Sequence, residues 1–228
     1  MDNVRRQFIR GGTALVAATS LYLIHNHLDA KATEDGADKV RYGMLHDESK
    51  CIGCNACVEA CRTTNQVPDG VTRLRIERTG PYGEFPEQYY HFSRISCQQC
   101  EQPPCVNVCP TGASYIDPQT GIVSVNSWKC VGCQYCIAAC PYHIRFINPV
   151  THAADKCDFC RETNLREGKQ PACVAACPTG ALMFGNLDDP NSSIGQALAV
   201  RPVYRAKEDL GTHPKLFRIR AKAGGITV

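Results

Sequence analysis

The apolar residues of this chain fall in short runs separated by turn signals. Residues 113–116 and 122–125 flank Asp117-Pro118-Gln119-Thr120-Gly121, a pattern that predicts a β-hairpin. Residues 144–147 precede Asn148-Pro149 and predict half of a second hairpin. The pattern therefore indicates many short strands joined by tight turns.

A third pair of strands is predicted in a segment between two clusters of cysteine. Residues 71–78 and 88–95 alternate apolar and polar positions around Gly80-Pro81-Tyr82-Gly83. This hairpin lies within residues 62–96, which we expect to be either a docking surface for a partner or a surface hairpin.

The N-terminus has the features of an export signal. The twin arginines of Arg5-Arg6-Gln7-Phe8-Ile9 precede an apolar run over residues 11–24. That run is shorter than the roughly 20 residues of a membrane helix, but it suits the apolar region of a secretory signal. Ala30-Lys31-Ala32 offers a cleavage site, so we predict a twin-arginine signal peptide over residues 1–32 and export to the periplasm. The alternative is an amphipathic helix that begins with two arginines.

The later sequence contains no run of 18 apolar residues. We therefore expect the exported protein to be either soluble or associated with the membrane only through a partner.

The composition is unusual in its cysteine content, because the 228 residues include 16 Cys. Cysteine this dense indicates disulfides or metal, since no ordinary core needs so many thiols. The formal net charge is +3, and most of it comes from residues 1–32. The near-neutral remainder carries no electrostatic footprint for nucleic acid.

The cysteines form four sets of four with none left over. The first and third sets read C-x2-C-x2-C-x3-C, the second C-x2-C-x4-C-x3-C and the fourth C-x2-C-x12-C-x3-C. In chain order the sets are Cys51, Cys54, Cys57 and Cys61; Cys97, Cys100, Cys105 and Cys109; Cys130, Cys133, Cys136 and Cys140; and Cys157, Cys160, Cys173 and Cys177. The compact spacing is that of bacterial two-cluster ferredoxins, in which the last cysteine ligates the neighbouring cluster. The sets therefore predict four [4Fe–4S] clusters, with these 16 cysteines as iron ligands.

Two other uses of the cysteines remain as alternatives. Eight disulfides would use every thiol, but cysteines this close along the chain do not form independent bridges with normal geometry. Zinc ribbons pair C-x2-C units across a longer loop, which the second and fourth sets could mimic and the first and third could not. Haem c is excluded, because no C-x-x-C is followed by His.

An internal repeat predicts the fold class. The first and third sets share a glycine at the same place, Gly53 and Gly132, and Cys109-Pro110-Thr111-Gly112-Ala113 recurs as Cys177-Pro178-Thr179-Gly180-Ala181. A duplicated two-cluster module explains both matches. We predict an α+β fold of duplicated ferredoxin-like modules, with an inserted hairpin and an extended C-terminal tail.

The repeat also sets the expected domain boundaries. We predict a four-cluster domain over residues 33–185, with an insertion at 62–96, and a C-terminal extension over residues 186–228. Within the extension, Asp189-Pro190-Asn191-Ser192 predicts a helix start. The rest predicts an extended tail that either wraps the domain or clasps a partner.

The motifs of common enzymes are missing from the sequence. There is no dinucleotide fingerprint, no P-loop and no His/Glu metal arrangement, and the seven His are dispersed. If cysteine binds every iron, no iron is left open for a substrate. The sequence therefore predicts a non-catalytic electron-transfer subunit whose chemistry takes place in its partners.

The four-set pattern resembles the iron–sulfur subunits of DMSO, polysulfide and tetrathionate reductases. The connecting residues resemble more closely the NrfC-type proteins of formate-dependent, cytochrome c nitrite reduction. The stretches that carry this resemblance are Arg41-Tyr42-Gly43-Met44, the stretch from Cys130 through Asp155-Lys156-Cys157-Asp158-Phe159-Cys160, Phe184-Gly185-Asn186-Leu187-Asp188-Asp189-Pro190, and Leu210-Gly211-Thr212 before Pro214-Lys215-Leu216. The resemblance implies a relay from a multi-pass quinol-oxidising membrane subunit to a c-type cytochrome acceptor. The same relay serving a molybdopterin reductase is the alternative.

The resemblance also implies how the cysteines pair, whereas spacing alone requires only that the last cysteine of a set crosses over. In the family the first set pairs with the fourth and the second with the third. The implied ligand sets are Cys51, Cys54, Cys57 and Cys177; Cys157, Cys160, Cys173 and Cys61; Cys97, Cys100, Cys105 and Cys140; and Cys130, Cys133, Cys136 and Cys109.

Overall fold

The computed structural model describes residues 39–221, and the predicted signal peptide of residues 1–32 lies outside this range. Its strands are β1 (Tyr42–Asp47), β2 (Leu74–Tyr82), β3 (Tyr89–Ser96), β4 (Ser114–Ile116), β5 (Val123–Val125), β6 (Phe146–Ile147), β7 (Ala154–Asp155), β8 (Leu182–Asn186), β9 (Tyr204–Arg205) and β10 (Leu216–Ile219). Its α-helices are α1 (Ala56–Thr64), α2 (Pro104–Asn107), α3 (Tyr135–Ala138), α4 (Ala172–Ala175) and α5 (Ser193–Val200). This mixture of short helices and strands agrees with the predicted α+β class.

A four-stranded sheet in the order β8-β1-β10-β9 is the largest sheet in the described residues. Strand β1 pairs antiparallel with β8 and parallel with β10, so it is an inner strand. Both of its faces are buried, because Met44 packs among the cysteines while Leu45 packs with Ile194 of α5. The sheet thus separates the thiol-rich core from a small aliphatic core under α5.

The two short hairpins lie where the sequence predicts them. Strand β4 pairs antiparallel with β5, and β6 with β7. The turn of the first hairpin is held by Asp117, whose carboxylate accepts hydrogen bonds from the N–H and the hydroxyl of Thr120 at 2.9 and 2.8 Å. A short Asx-type turn of this kind is the reason for an Asp at the strand end.

The predicted third hairpin has a different turn and a different role. Strand β2 runs past Gly80-Pro81 to Tyr82, with a register shift between Thr79 and Tyr82, so the turn lies in residues 83–88. Proline is tolerated there because it lies at a bulge and has no backbone N–H that would need a hydrogen-bond partner. The inner face of β3 is buried, since Phe92 and Arg94 are 7% and 0% exposed. One face of β3 is therefore part of the core, whereas most of β2 is exposed.

The C-terminal segment is built into the domain. Ser192 caps α5, accepting a hydrogen bond from the Gly195 N–H at 3.0 Å, at the helix start that the sequence predicts. Strand β10 then enters the sheet between β1 and β9, where Leu216 is fully buried. The expected boundary at residue 185 falls inside β8. An apolar strand with unpaired N–H groups gains both burial and hydrogen bonds beside β1.

Candidate iron–sulfur centres

All 16 cysteines have free thiols, and they converge in four groups. Group 1 is Cys51, Cys54, Cys57 and Cys177, which line one cavity; group 3 is Cys97, Cys100, Cys105 and Cys140, which line a second; and group 4 is Cys109, Cys130, Cys133 and Cys136, which line a third. Within residues 39–221, no three His, Cys, Asp or Glu side chains are grouped tightly enough for a single metal ion. Each cavity is instead surrounded by four thiols.

Group 2 consists of Cys61, Cys157, Cys160 and Cys173 and is the most buried, with every member at most 5% exposed. The Asn65 side-chain N–H lies 3.4 Å from the Cys160 sulfur and 3.7 Å from the Cys61 sulfur. Burial raises the pKa of Cys157, and the charges of Cys61 and Cys173 add to that rise. The four thiols therefore share one site.

The loops of groups 1 and 4 have the same backbone conformation. Gly53 and Asn55 have φ of 71° and 60°, and Gly132 and Gln134 have φ of 68° and 65°. A Cβ atom on Gly53 would lie 2.4 Å from the Phe92 ring, so this position requires glycine for space as well as for conformation. The positive φ values turn the loop around the three closely spaced thiols.

Four helices carry the polypeptide from one group to another. In α1, Cys57 belongs to group 1 and Cys61, one turn later, belongs to group 2. Each of the other three helices likewise contains a cysteine of one group and is followed by the last cysteine of its set, which joins the neighbouring group. Helix α1 packs against α4, and α2 against α3. The crossover expected from the spacing follows from this geometry.

The repeated Cys-Pro-Thr-Gly-Ala sequence surrounds a sulfur with hydrogen-bond donors. Burial acts to raise the pKa of Cys109 and of Cys177, but hydrogen bonds to the two sulfurs outweigh burial and lower both pKa values. The Thr111 and Thr179 hydroxyls lie 3.8 and 3.7 Å from these sulfurs, and the Ser114 N–H donates to Cys109 at 3.4 Å. Such donors stabilise a thiolate and tune a cluster bound to it.

In the protein without iron, the thiols in the interior have raised pKa values, in contrast to Cys109 and Cys177. Burial raises the pKa of Cys57 to about 11 and the pKa values of Cys61 and Cys100 to about 12. These thiols are therefore protonated at neutral pH until iron binds, and ligation releases their protons.

Two buried arginines lie against the thiols, and no sequence motif marks them. The Arg94 guanidinium points at Cys157 Sγ at 3.9 Å, and that of Arg145 donates to Cys105 Sγ at 3.0 Å. One terminal nitrogen of each arginine, Nη1, has no hydrogen-bond partner in the protein. A buried cation with spare donors beside free thiols fits an anionic group bound at those thiols, as an iron–sulfur cluster with four thiolate ligands would be.

The cysteines of groups 1 and 4 are more exposed to solvent than those of groups 2 and 3. Cys54 of group 1 and Cys133 of group 4 are exposed, whereas all members of groups 2 and 3 are buried. Ile52 is 45% exposed beside group 1, and Val131 and Tyr135 are 68% and 62% exposed beside group 4. Only groups 1 and 4 therefore reach the surface through their cysteines.

The fold and the four thiol groups define a four-cluster, ferredoxin-type electron-transfer protein. Two family models, both described as 4Fe-4S dicluster domain, match residues 50–113 and residues 88–187. Protein NrfC of Escherichia coli is 59% identical over 223 residues, 98% of each of the two proteins. The sequence belongs to the NrfC family of iron–sulfur electron-transfer subunits, and its cofactors are four [4Fe–4S] clusters.

Two further relatives are named as parts of reductases. The B subunit of polysulfide reductase from Wolinella succinogenes is 55% identical over 188 residues, 82% of this chain and 97% of the relative. The thiosulfate reductase electron transfer subunit PhsB of Salmonella typhi is 49% identical over 179 residues, 78% of this chain and 92% of the relative. Within residues 39–221 no helix is long and apolar enough to cross a membrane.

Proposed function

We propose that the protein relays single electrons from a quinol-oxidising membrane subunit to periplasmic c-type cytochromes of nitrite reduction. The observation that carries the proposal is the pair of exposed end groups joined through two buried ones. A [4Fe–4S] cluster with four cysteine ligands supplies one-electron oxidation and reduction. The protein excludes water from the two middle groups and exposes a cysteine at each end, so electrons enter and leave only there.

We further propose that the thiol groups are the ligand sets. Group 1 then holds one cluster through Cys51, Cys54, Cys57 and Cys177; group 2 through Cys61, Cys157, Cys160 and Cys173; group 3 through Cys97, Cys100, Cys105 and Cys140; and group 4 through Cys109, Cys130, Cys133 and Cys136. Their convergence supports this assignment, as does the agreement with the crossover between sets.

The apolar side chains at the two ends support docking of separate partners there. Trp128 is 97% exposed near group 4, in the same part of the sequence as Val131 and Tyr135. Exposed aromatic residues of this kind are enriched at protein interfaces.

We propose that the protein itself performs no substrate chemistry. We further propose that its quinol-oxidising partner holds it at the outer face of the cytoplasmic membrane, after export by the twin-arginine route.

The nitrite assignment rests on the extent of the similarity to NrfC, which covers 98% of this chain against 82% for the polysulfide reductase subunit. The 55% identity to the latter favours a second candidate, in which the same relay serves a molybdopterin reductase. In both cases the terminal chemistry belongs to another subunit.

A strain that lacks this protein distinguishes the two candidates. In its membranes, nitrite reduction driven by formate through the quinone pool should be lost, while nitrite reduction driven by an artificial dye should be unchanged. The wild-type gene should restore the quinone-dependent rate. If both rates survive the deletion, the nitrite assignment is wrong and the relay serves another terminal enzyme.

A further inference from the structure

Three buried cations in the thiol-rich core have no carboxylate to neutralise them. Arg94, Lys156 and Arg145 are 0%, 2% and 5% exposed, and no carboxylate within residues 39–221 forms an ion pair with any of them. Arg218, in contrast, is paired with Glu48 at 3.1 Å, and Lys215 is a fourth buried cation without an ion pair. A buried charge without a counter-ion is strongly unfavourable, so each of the three requires an anion that the protein side chains do not provide.

Arg94 lies between groups 1 and 2. Its Nη2 lies 3.9 Å from Cys157 Sγ of group 2, and its Nε donates to Ser96 at 2.9 Å. Its backbone N–H donates to His46 Nδ1 at 3.3 Å, and its register partner on β2 is Ile76. Both His46 and Ile76 line the group 1 cavity.

Arg145 has the same position between groups 3 and 4. It lines the cavities of both groups. Its Nη2 donates to Cys105 Sγ of group 3 at 3.0 Å and to the Ser114 hydroxyl at 2.9 Å. Ser114 lines the group 4 cavity, so one guanidinium faces both thiol groups.

Lys156 lies between group 2 and group 3. Its ammonium donates to the carbonyl of Cys157, a member of group 2, at 3.1 Å. It also donates to the carbonyl of Val123, which lines the group 3 cavity. Lys215 is also buried, but its ammonium donates to the carbonyl of Gly121, which lines none of the three thiol cavities.

We propose that Arg94, Lys156 and Arg145 are counter-ions at the three junctions of a linear series of clusters, and that each raises the reduction potential of the two clusters beside it. The proposal rests on the ligand grouping given above. Reduction adds one negative charge to a cluster, and a fixed cation in a low-dielectric interior favours that charge. Because each cation faces two groups, its removal should affect two clusters.

The test is an EPR-monitored redox titration of the purified, cluster-loaded protein and four variants. Arg94→Gln, Lys156→Gln and Arg145→Gln each remove one junction charge while keeping a polar side chain. Arg75→Gln is the matched control, because Arg75 lies on β2 of the same hairpin as Arg94 but is exposed. Iron content and the number of EPR signals report on cluster assembly independently of any activity.

The proposal predicts a pattern as well as a direction. Arg94→Gln should lower two of the four midpoint potentials, and Arg145→Gln should lower the other two. Lys156→Gln should lower one from each pair. A tenfold loss in the reduction equilibrium constant corresponds to a downward shift of about 59 mV for one electron, and Arg75→Gln should shift none of the four potentials measurably.

Several outcomes would overturn the proposal. They are unchanged potentials in all three junction variants, an equal shift of all four potentials, or the same shift in Arg75→Gln. If Arg94→Gln loses iron, Arg94→Lys keeps the charge, and its potentials should stay near those of the wild type; a drop as large as in Arg145→Gln would contradict the proposal. The titration uses no partner protein, so its failure is distinct from a failure of the nitrite relay.

Discussion

Replacing Cys177 by Ser is expected to alter the cluster that Cys51 holds and to leave the cluster held by Cys157 unchanged. Cys177 lies far from Cys51 in sequence and close to Cys157 and Cys160, its own set. In the structure it nevertheless lines the cavity of Cys51, Cys54 and Cys57. The change of one ligand from sulfur to oxygen should therefore shift or abolish one of the four EPR signals.

The measurement compares the reduced variant with two references. The EPR spectrum of Cys177→Ser should show the same affected signal as Cys51→Ser and a different one from Cys157→Ser. Cys109→Ser is the matched variant in the second set, because the same Cys-Pro-Thr-Gly-Ala sequence begins there; it should affect the signal that Cys130→Ser affects. A Cys177→Ser spectrum that matches Cys157→Ser would reject the grouping.

Replacing Leu216 by Asp should unfold the protein at a much lower temperature. Leu216 is fully buried in the inner strand β10, where it pairs in register with Met44 of β1. Losing its apolar contacts and burying a carboxylate together cost at least about 3 kcal/mol. We expect the thermal midpoint to fall by roughly 6–12 °C, with loss of iron on storage.

Leu210 provides the control for this variant. It lies six positions earlier in the same segment but is 50% exposed, so Leu210→Asp should change the thermal midpoint by no more than about 2 °C. Equal midpoints for Leu216→Asp and Leu210→Asp would show that β10 contributes little to the fold.

The sequence predicts the cofactors well, because cluster ligation is encoded in local spacing. The intervals between cysteines require loops and helix starts that a few neighbouring residues can form, such as Gly53 and Asn55. The hairpin around Asp117 is predictable for the same reason. Its turn is closed by hydrogen bonds between residues at most five positions apart.

Long-range placement is harder to predict from the sequence. Nothing local to residues 216–219 indicates a parallel partner in β1, which lies about 170 positions earlier. The role of Arg94 is not predicted either, although the sequence holds a signal for it. The alternation of β3 puts Phe92, Arg94 and Ser96 on one buried face, and an arginine on such a face needs an anion nearby.

The interior of this protein both holds the cluster ligands and forms the hydrophobic core. Leu74, Ile122 and Phe159 are at most 1% exposed and pack in the same cluster of buried residues as Cys61 and Cys157. The ligands are thus part of the core, and cluster assembly and folding should be coupled. The buried cations then fit an interior whose main charges are those of the clusters.

Freeze-quench EPR on membranes tests whether electrons pass through this protein to nitrite. Membranes that contain the protein are reduced with formate, mixed with nitrite, and frozen within the time of one turnover for EPR. We expect nitrite to oxidise the clusters and polysulfide or tetrathionate to leave them reduced. Clusters that stay reduced with nitrite but are oxidised by polysulfide or tetrathionate would contradict this expectation.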